Sequence, residues 1–158
     1  DSVKKEKESL ETRLSQVSGA DGNNKLLTAV IKAANLYISN DSTGAAEAIA
    51  DVDVSSLPVE EAKTLYNTIS GATMMNAAND LYNRGMTAYN KADYTTAADL
   101  LVRAYKCDKT KADAVFYAAK SYVALNQPDN AKKYYQIIAD EFKSSGYVTE
   151  AQAYVQSH

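Results

Sequence analysis

Apolar residues recur along this chain at spacings of three and four, the period of a helix buried on one side. Leu27, Val30, Ile31, Ala34 and Tyr37 predict a helix over Leu26 to Ile38, and a shorter one is predicted from Ser42 to Val52 after an Asn40-Asp41 turn. A linker, Asp53 to Leu57, comes next. The helical pattern then runs through Leu65, Ile69, Met75, Ala78, Tyr82 and Tyr89 with only Gly71 interrupting. It predicts one long helix over 58–91, with Gly71 as the place for a bend. Ser56 suits its N-cap, and Pro58, Glu60 and Glu61 its first turn, where carboxylates complement the dipole. Val148, Ala151 and Val155 share a face and predict a capping helix over 147–157.

The first residues follow a different rule. Val3, Leu10, Leu14 and Val17 fall on alternate heptad positions, with Lys7 at the remaining one, amid Lys and Glu. This is a coiled-coil signature of barely two heptads, fewer than the roughly three or four a coiled coil sustains. Residues 1–18 are expected to be a helical coiled-coil stub or, alternatively, an amphipathic helix packed on its own domain. Gly19 to Asn24 read as a loop leading into a domain over 24–158.

Sliding the sequence by 34 residues aligns Asp93–Ala97 with Gln127–Ala131, and Gly85, Ala97 and Leu101 with Ala119, Ala131 and Tyr135. Small residues meet small ones where two antiparallel helices cross closely, and large ones fill the space beside the crossing. Turns are expected at Asn90-Lys91-Ala92-Asp93 and Asn126-Gln127-Pro128-Asp129. Pro128 suits a first helical turn, where its missing N–H is no loss. In this spacing, Leu81, Gly85, Tyr89, Tyr94, Ala97, Leu101 and Ala104 resemble the tetratricopeptide repeat (TPR) pattern. Val115, Ala119, Tyr122, Ala131, Tyr135 and Ile138 resemble it again one period on. Lys109 and Lys143 stand where the family carries proline. The resemblance implies an all-α, TPR-like solenoid of helix-turn-helix repeats. Clear repeats fall at 78–111 and 112–145, and a degenerate one at 26–52 has Ala45 in the small position.

Composition narrows the function. The 158 residues are 46% hydrophobic and 23% charged, with a net charge of −3. A pI near 5.2 and the absence of a basic stripe exclude a protein that grips phosphate backbones through clustered Lys and Arg. Six glycines and two prolines leave helices uninterrupted, and twelve tyrosines supply rings that pack while their hydroxyls reach a polar partner. One cysteine, Cys107, excludes an intrachain disulfide and a multi-cysteine metal site. No apolar run approaches the roughly 20 residues of a membrane span, so no direct membrane insertion is expected. The opening on Asp1 reads as an excised or processed form.

Candidate chemistry is sparse. The only histidine, His158, is terminal, and Cys107 has no histidine near it in sequence. Asp51 with Asp53, and Glu60 with Glu61, read as capping and solvated acids. Asn40-Asp41-Ser42 matches the glycosylation acceptor pattern, a short motif common by chance. No catalytic residue, metal site or cofactor is expected, and the chain is not expected to be an enzyme.

The resemblance instead implies a concave groove lined by the first helix of each repeat. Its candidate residues are Asn79, Tyr82, Met86, Tyr89 and Asn90, then Asp113, Phe116, Lys120 and Val123. They suit a protein or peptide partner, unless the rings are core. Family members that clamp a terminal carboxylate need cationic and amide groups where Tyr82 and Met86 stand, so that activity is not implied. A scaffold or adaptor is expected. The alternative is a structural cell-envelope protein forming homo-oligomers through residues 1–18. A coiled coil ahead of such repeats is similar to the arrangement in bacterial envelope proteins, which points to an extracytoplasmic domain on a membrane anchor.

Overall fold

A computed structural model describes residues 2–16 and 21–158, whose regular structure is all helical, with no strand among them. The order is α1 (Ser2–Gln16), α2 (Asp21–Ile38), α3 (Ser42–Ile49), a 3-10 turn (Val54–Ser56), α4 (Glu60–Asn90), α5 (Tyr94–Cys107), α6 (Ala112–Ala124), α7 (Pro128–Glu141) and α8 (Val148–Ser157). Two compact units divide the chain, one ending at Ala77 and one beginning at Ala78, so α4 contributes residues to each.

The first unit packs Leu27, Val30, Ala33 and Ala34 of α2 against Ala45 and Ile49 of α3, with Leu57, Leu65 and Ile69 closing the core. Val3 and Leu10 of α1 lie inside this core, and Leu14 packs on it. Val3, Leu10 and Leu14 of the apolar stripe of α1 are therefore covered by its own unit. Lys7 pairs with Glu11 at 3.4 Å, and Arg13 reaches Glu61 at 2.9 Å. Val17 lies outside the described residues.

Three boundaries differ from the sequence reading. Residues 21–24 of the expected loop are helical, and Thr28 Oγ1 donates to the Asn24 carbonyl at 2.6 Å in that opening turn. α3 stops at Ile49, short of Val52, because the chain tightens there: Ala50 N–H bonds to the Glu47 carbonyl and Val52 N–H to that of Ile49. Ser56 does not cap the long helix. Asp53 takes the Ser55 N–H at 2.9 Å, and both the Ser55 and Ser56 hydroxyls donate to its carboxylate. The long helix instead opens on the Val59 carbonyl, which accepts from Ala62 and Lys63.

In the second unit α5 packs on α6, α6 on α7 and α7 on α8. Leu81, Ala97, Leu101, Ala104, Val115, Ala119, Ala131 and Ile138 are wholly buried. At Gly85, α4 and α5 approach closely: a Cβ there would sit 2.8 Å from Leu101 Cγ and 3.3 Å from Leu100 Cβ. Pro128 occupies the first turn of α7, where no N–H is missed.

One turn geometry occurs three times. Asn40, Ala92 and Asn126 have φ of 65°, 59° and 56°. Each follows a helix in the left-handed conformation that closes a Schellman motif. The next N–H bonds back five residues (Asp41 to Leu36, Asp93 to Ala88, Gln127 to Tyr122), and the left-handed residue's own N–H bonds back three (to Tyr37, Tyr89 and Val123). Asp41 and Asp93 then cap the next helix, accepting the Gly44 and Thr96 N–H groups. The hairpins α2/α3, α4/α5 and α6/α7 thus share one joint. The last two joints lie 34 residues apart, the period of the sequence repeat.

Candidate functional site

The nine groove candidates, Asn79 through Val123, all lie in the second unit, on α4 and α6. Asn79 and Asn90 are exposed at the two ends of a row on α4, with Tyr82 and Met86 half-buried between them. These positions follow one another at intervals of three and four, so they share a helical face. On α6, Val123 is 43% exposed, while Asp113 and Lys120 are half-buried.

Tyr82 is held from two sides. Its hydroxyl donates to Asp113, and the Lys111 ammonium lies 5.3 Å from its ring centroid. Burial, then the charge and hydrogen bond of Asp113, push the Tyr82 phenol up to about 12. It is therefore a neutral donor at neutral pH. Tyr89 belongs to a ring cluster, meeting Tyr94 and Tyr117 edge-on at 5.4 and 5.2 Å. Edge-to-face pairs of this kind contribute about 0.5–1.5 kcal/mol beyond area burial. Tyr89 packs the start of α5 to α4 and α6.

Phe116, expected on the groove wall, is only 6% exposed. Tyr147 stacks on it at 4.2 Å and 15°, and the Tyr117 and Tyr135 rings meet it at 5.4 and 6.2 Å. Lys120 lies 5.2 Å from the Phe116 centroid, and its ammonium reaches Glu150 at 3.4 Å. Glu150 also accepts the Tyr135 hydroxyl at 3.1 Å. Around Phe116 and Lys120 the α6 side of the expected groove is thus covered by the segment around α8.

Lys111, Tyr117, Tyr147 and Glu150 belong to this surface and were not foreseen. A signal for two of them exists. Adding one 34-residue period to Asp113 and Phe116 lands on Tyr147 and Glu150. The same spacing therefore continues into the start of the α8 segment.

What stays accessible is two amides and a thioether on α4 (Asn79, Asn90 and Met86), beside the neutral Tyr82 phenol, and one aliphatic side chain on α6 (Val123). Such groups recognise by contact and hydrogen bonding. Cys107 is buried in α5, and the His158 ring stacks on Tyr154 at 4.1 Å. Among the described residues no group of three or more His, Cys, Asp or Glu is placed to hold a metal ion. No helix among them is long and apolar enough to cross a membrane. No family model matches the chain, and comparison with curated proteins and with solved structures finds no significant match.

Proposed function

We propose that the second unit is a protein-interaction module, a scaffold or adaptor that takes a peptide or protein segment along the α4 row. The single observation behind this reading is the state of that row. Asn79, Tyr82, Met86 and Asn90 share one face of α4, and the unit's other helices leave all four at least partly accessible. Amides flanking a thioether and a ring suit a segment that offers both backbone hydrogen-bonding groups and an apolar side chain. The resemblance of residues 78–145 to tetratricopeptide repeats, and the recurrence of one hairpin joint at their period, support a groove-bearing array of TPR-like type.

For the alternative, assembly through residues 1–18, the described residues offer less support. Val3 and Leu10 are spent in the core of the first unit.

The test is capture from a lysate of the source organism on the immobilised chain, beside an Asn79→Arg, Met86→Glu variant of unchanged far-UV circular dichroism. Both positions are outside the core, so the variant is expected to fold. A protein retained by the wild type and lost by the variant is the expected result. Identical captured sets, or none from either form, would refute the reading.

A further inference from the structure

α8 is the least anchored helix of the second unit. α5 has seven buried residues, α6 six and α7 four, while α8 has Ala151 alone. A ten-residue helix is below the roughly 12–15 residues at which isolated helices become even marginal in water, so α8 exists by its docking. Its connection adds a cost. Ser145 Oγ is buried with no hydrogen-bond partner, and an unsatisfied buried hydroxyl costs about 1–3 kcal/mol, relieved whenever the segment opens to water. Helices with few buried contacts lie at the low end of local unfolding free energies.

The surface beneath is, by contrast, specific. Phe116 takes the Tyr147 ring in a stacked contact, and Tyr135 takes the Tyr154 ring at 4.7 Å. Ala151 is fully buried. Between the rings, the Lys120 ammonium and the Tyr135 hydroxyl both turn to one acid, Glu150. If α8 leaves, two rings and two polar donors lose their partners together.

We infer that this face of α6 and α7 is a docking surface for a helical partner segment of defined pattern, and that α8 is the occupant in cis which such a segment displaces. The pattern is a ring, an acid three residues on, a small residue next, and a second ring three further, as Tyr147, Glu150, Ala151 and Tyr154 show. The acid sets specificity, because a segment without one leaves Lys120 and Tyr135 unpaired. This deepens the interaction-module reading, and rests on it, by naming a second contact face and its ligand chemistry. A tethered occupant competes at an effective concentration in the mM range. The intact chain therefore binds such a segment weakly, and loosening α8 tightens binding.

The experiment uses the full chain and a fluorescein-labelled synthetic peptide of residues 145–158 as probe, read by anisotropy. Two variants loosen α8: Glu150→Lys sets a second cation beside Lys120, and Ala151→Arg fills the one buried position. Hydrogen exchange is expected to show α8 deprotected in both while α5–α7 keep their protection. The probe is expected to bind these variants at least about tenfold more tightly than the wild type. In an Ala151→Arg, Lys120→Glu chain, where α8 stays loosened, the preference should pass to a probe carrying Glu150→Lys. Equal affinity for wild type and variants, no binding to any form, failure of both substitutions to deprotect α8, or indifference to the charge exchange would each overturn the inference. Such a failure leaves the α4 row to its own capture test, because neither Asn79 nor Met86 takes part in these contacts.

Discussion

Two glycines on α4 receive the same methyl group with opposite expected outcomes. Gly71 and Gly85 both lie inside this helix, where glycine is about 0.8–1.0 kcal/mol less favourable than alanine. At Gly71 an added Cβ meets nothing within 4 Å, so Gly71→Ala should realise that gain and stabilise the chain by about 1 kcal/mol. At Gly85 the same Cβ would lie 2.8 Å from Leu101 Cγ and 3.0 Å from its Cδ2. Leu101 is fully buried, and Leu100 Cβ at 3.3 Å blocks the other side. The leucine must leave its rotamer or α5 must move away, and overpacking of this kind costs about 1–3 kcal/mol. Set against the propensity gain, Gly85→Ala should be destabilising by about 1 kcal/mol, which puts the two variants about 2 kcal/mol apart. Urea unfolding followed at 222 nm gives the midpoints. Hydrogen exchange of α2 and of α5 amides then assigns each change to its unit. A Gly85→Ala chain at least as stable as the wild type would refute the close α4–α5 crossing. A Gly71→Ala chain no more stable than wild type would refute the reading of that site as open helix surface.

Other expectations follow from single sites. Ala92 is exposed and holds φ of 59°, a conformation that costs a residue with a Cβ about 1–2 kcal/mol. Ala92→Gly removes that strain against an unfolded-state entropy cost of about 0.4–1 kcal/mol, so the urea midpoint should rise by an amount equivalent to roughly 0.5–1 kcal/mol. A lowered midpoint would count against the turn geometry. Alkaline pH should destabilise the chain. Burial and neighbouring acids raise the Tyr82 and Tyr105 phenols to about 12, above their unfolded value near 10. Their contribution is therefore complete below pH 10 and is lost as pH climbs from 10 towards 12. Urea midpoints at pH 8, 10 and 11.5 should fall, and fall less in a Tyr82→Phe, Tyr105→Phe chain. Parallel decline in both would show that other groups carry the effect.

What the sequence disclosed was set by local physics. Helix existence followed from apolar spacing, and the small residues picked out by the 34-residue register, Gly85 and Ala119, are both buried, Gly85 against Leu101 of α5. Pro128 announced its own position. The expected N-cap at Ser56 failed for an equally local reason: Asp53, two and three residues upstream of competing serines, is the better acceptor and organises a turn of its own. The fate of the α1 stripe was not legible. Two heptads and one helical face look alike when only Val3, Leu10 and Leu14 are read, and the difference lies in Leu27 to Ile69, distant in sequence. Phe116 shows the same limit at the candidate site. Its position marks a helix face, but whether Tyr147 or solvent lies on that face is decided by a segment thirty residues on. The Tyr82–Asp113 bond likewise joins two helices that spacing alone does not bring together.

The shared hairpin joint has a consequence for how such a chain can change over generations. Because Ala92 and Asn126 have the same backbone state and the same pair of returning hydrogen bonds, residues 93–126 begin and end at equivalent seams. Copying or deleting that cassette joins a left-handed residue to a helix-opening one just as the present chain does, so recombination at these seams creates no novel backbone junction. The unit that such an exchange would move is the α5–α6 pair, one helix from each of two hairpins, and its loss would leave an equivalent joint behind.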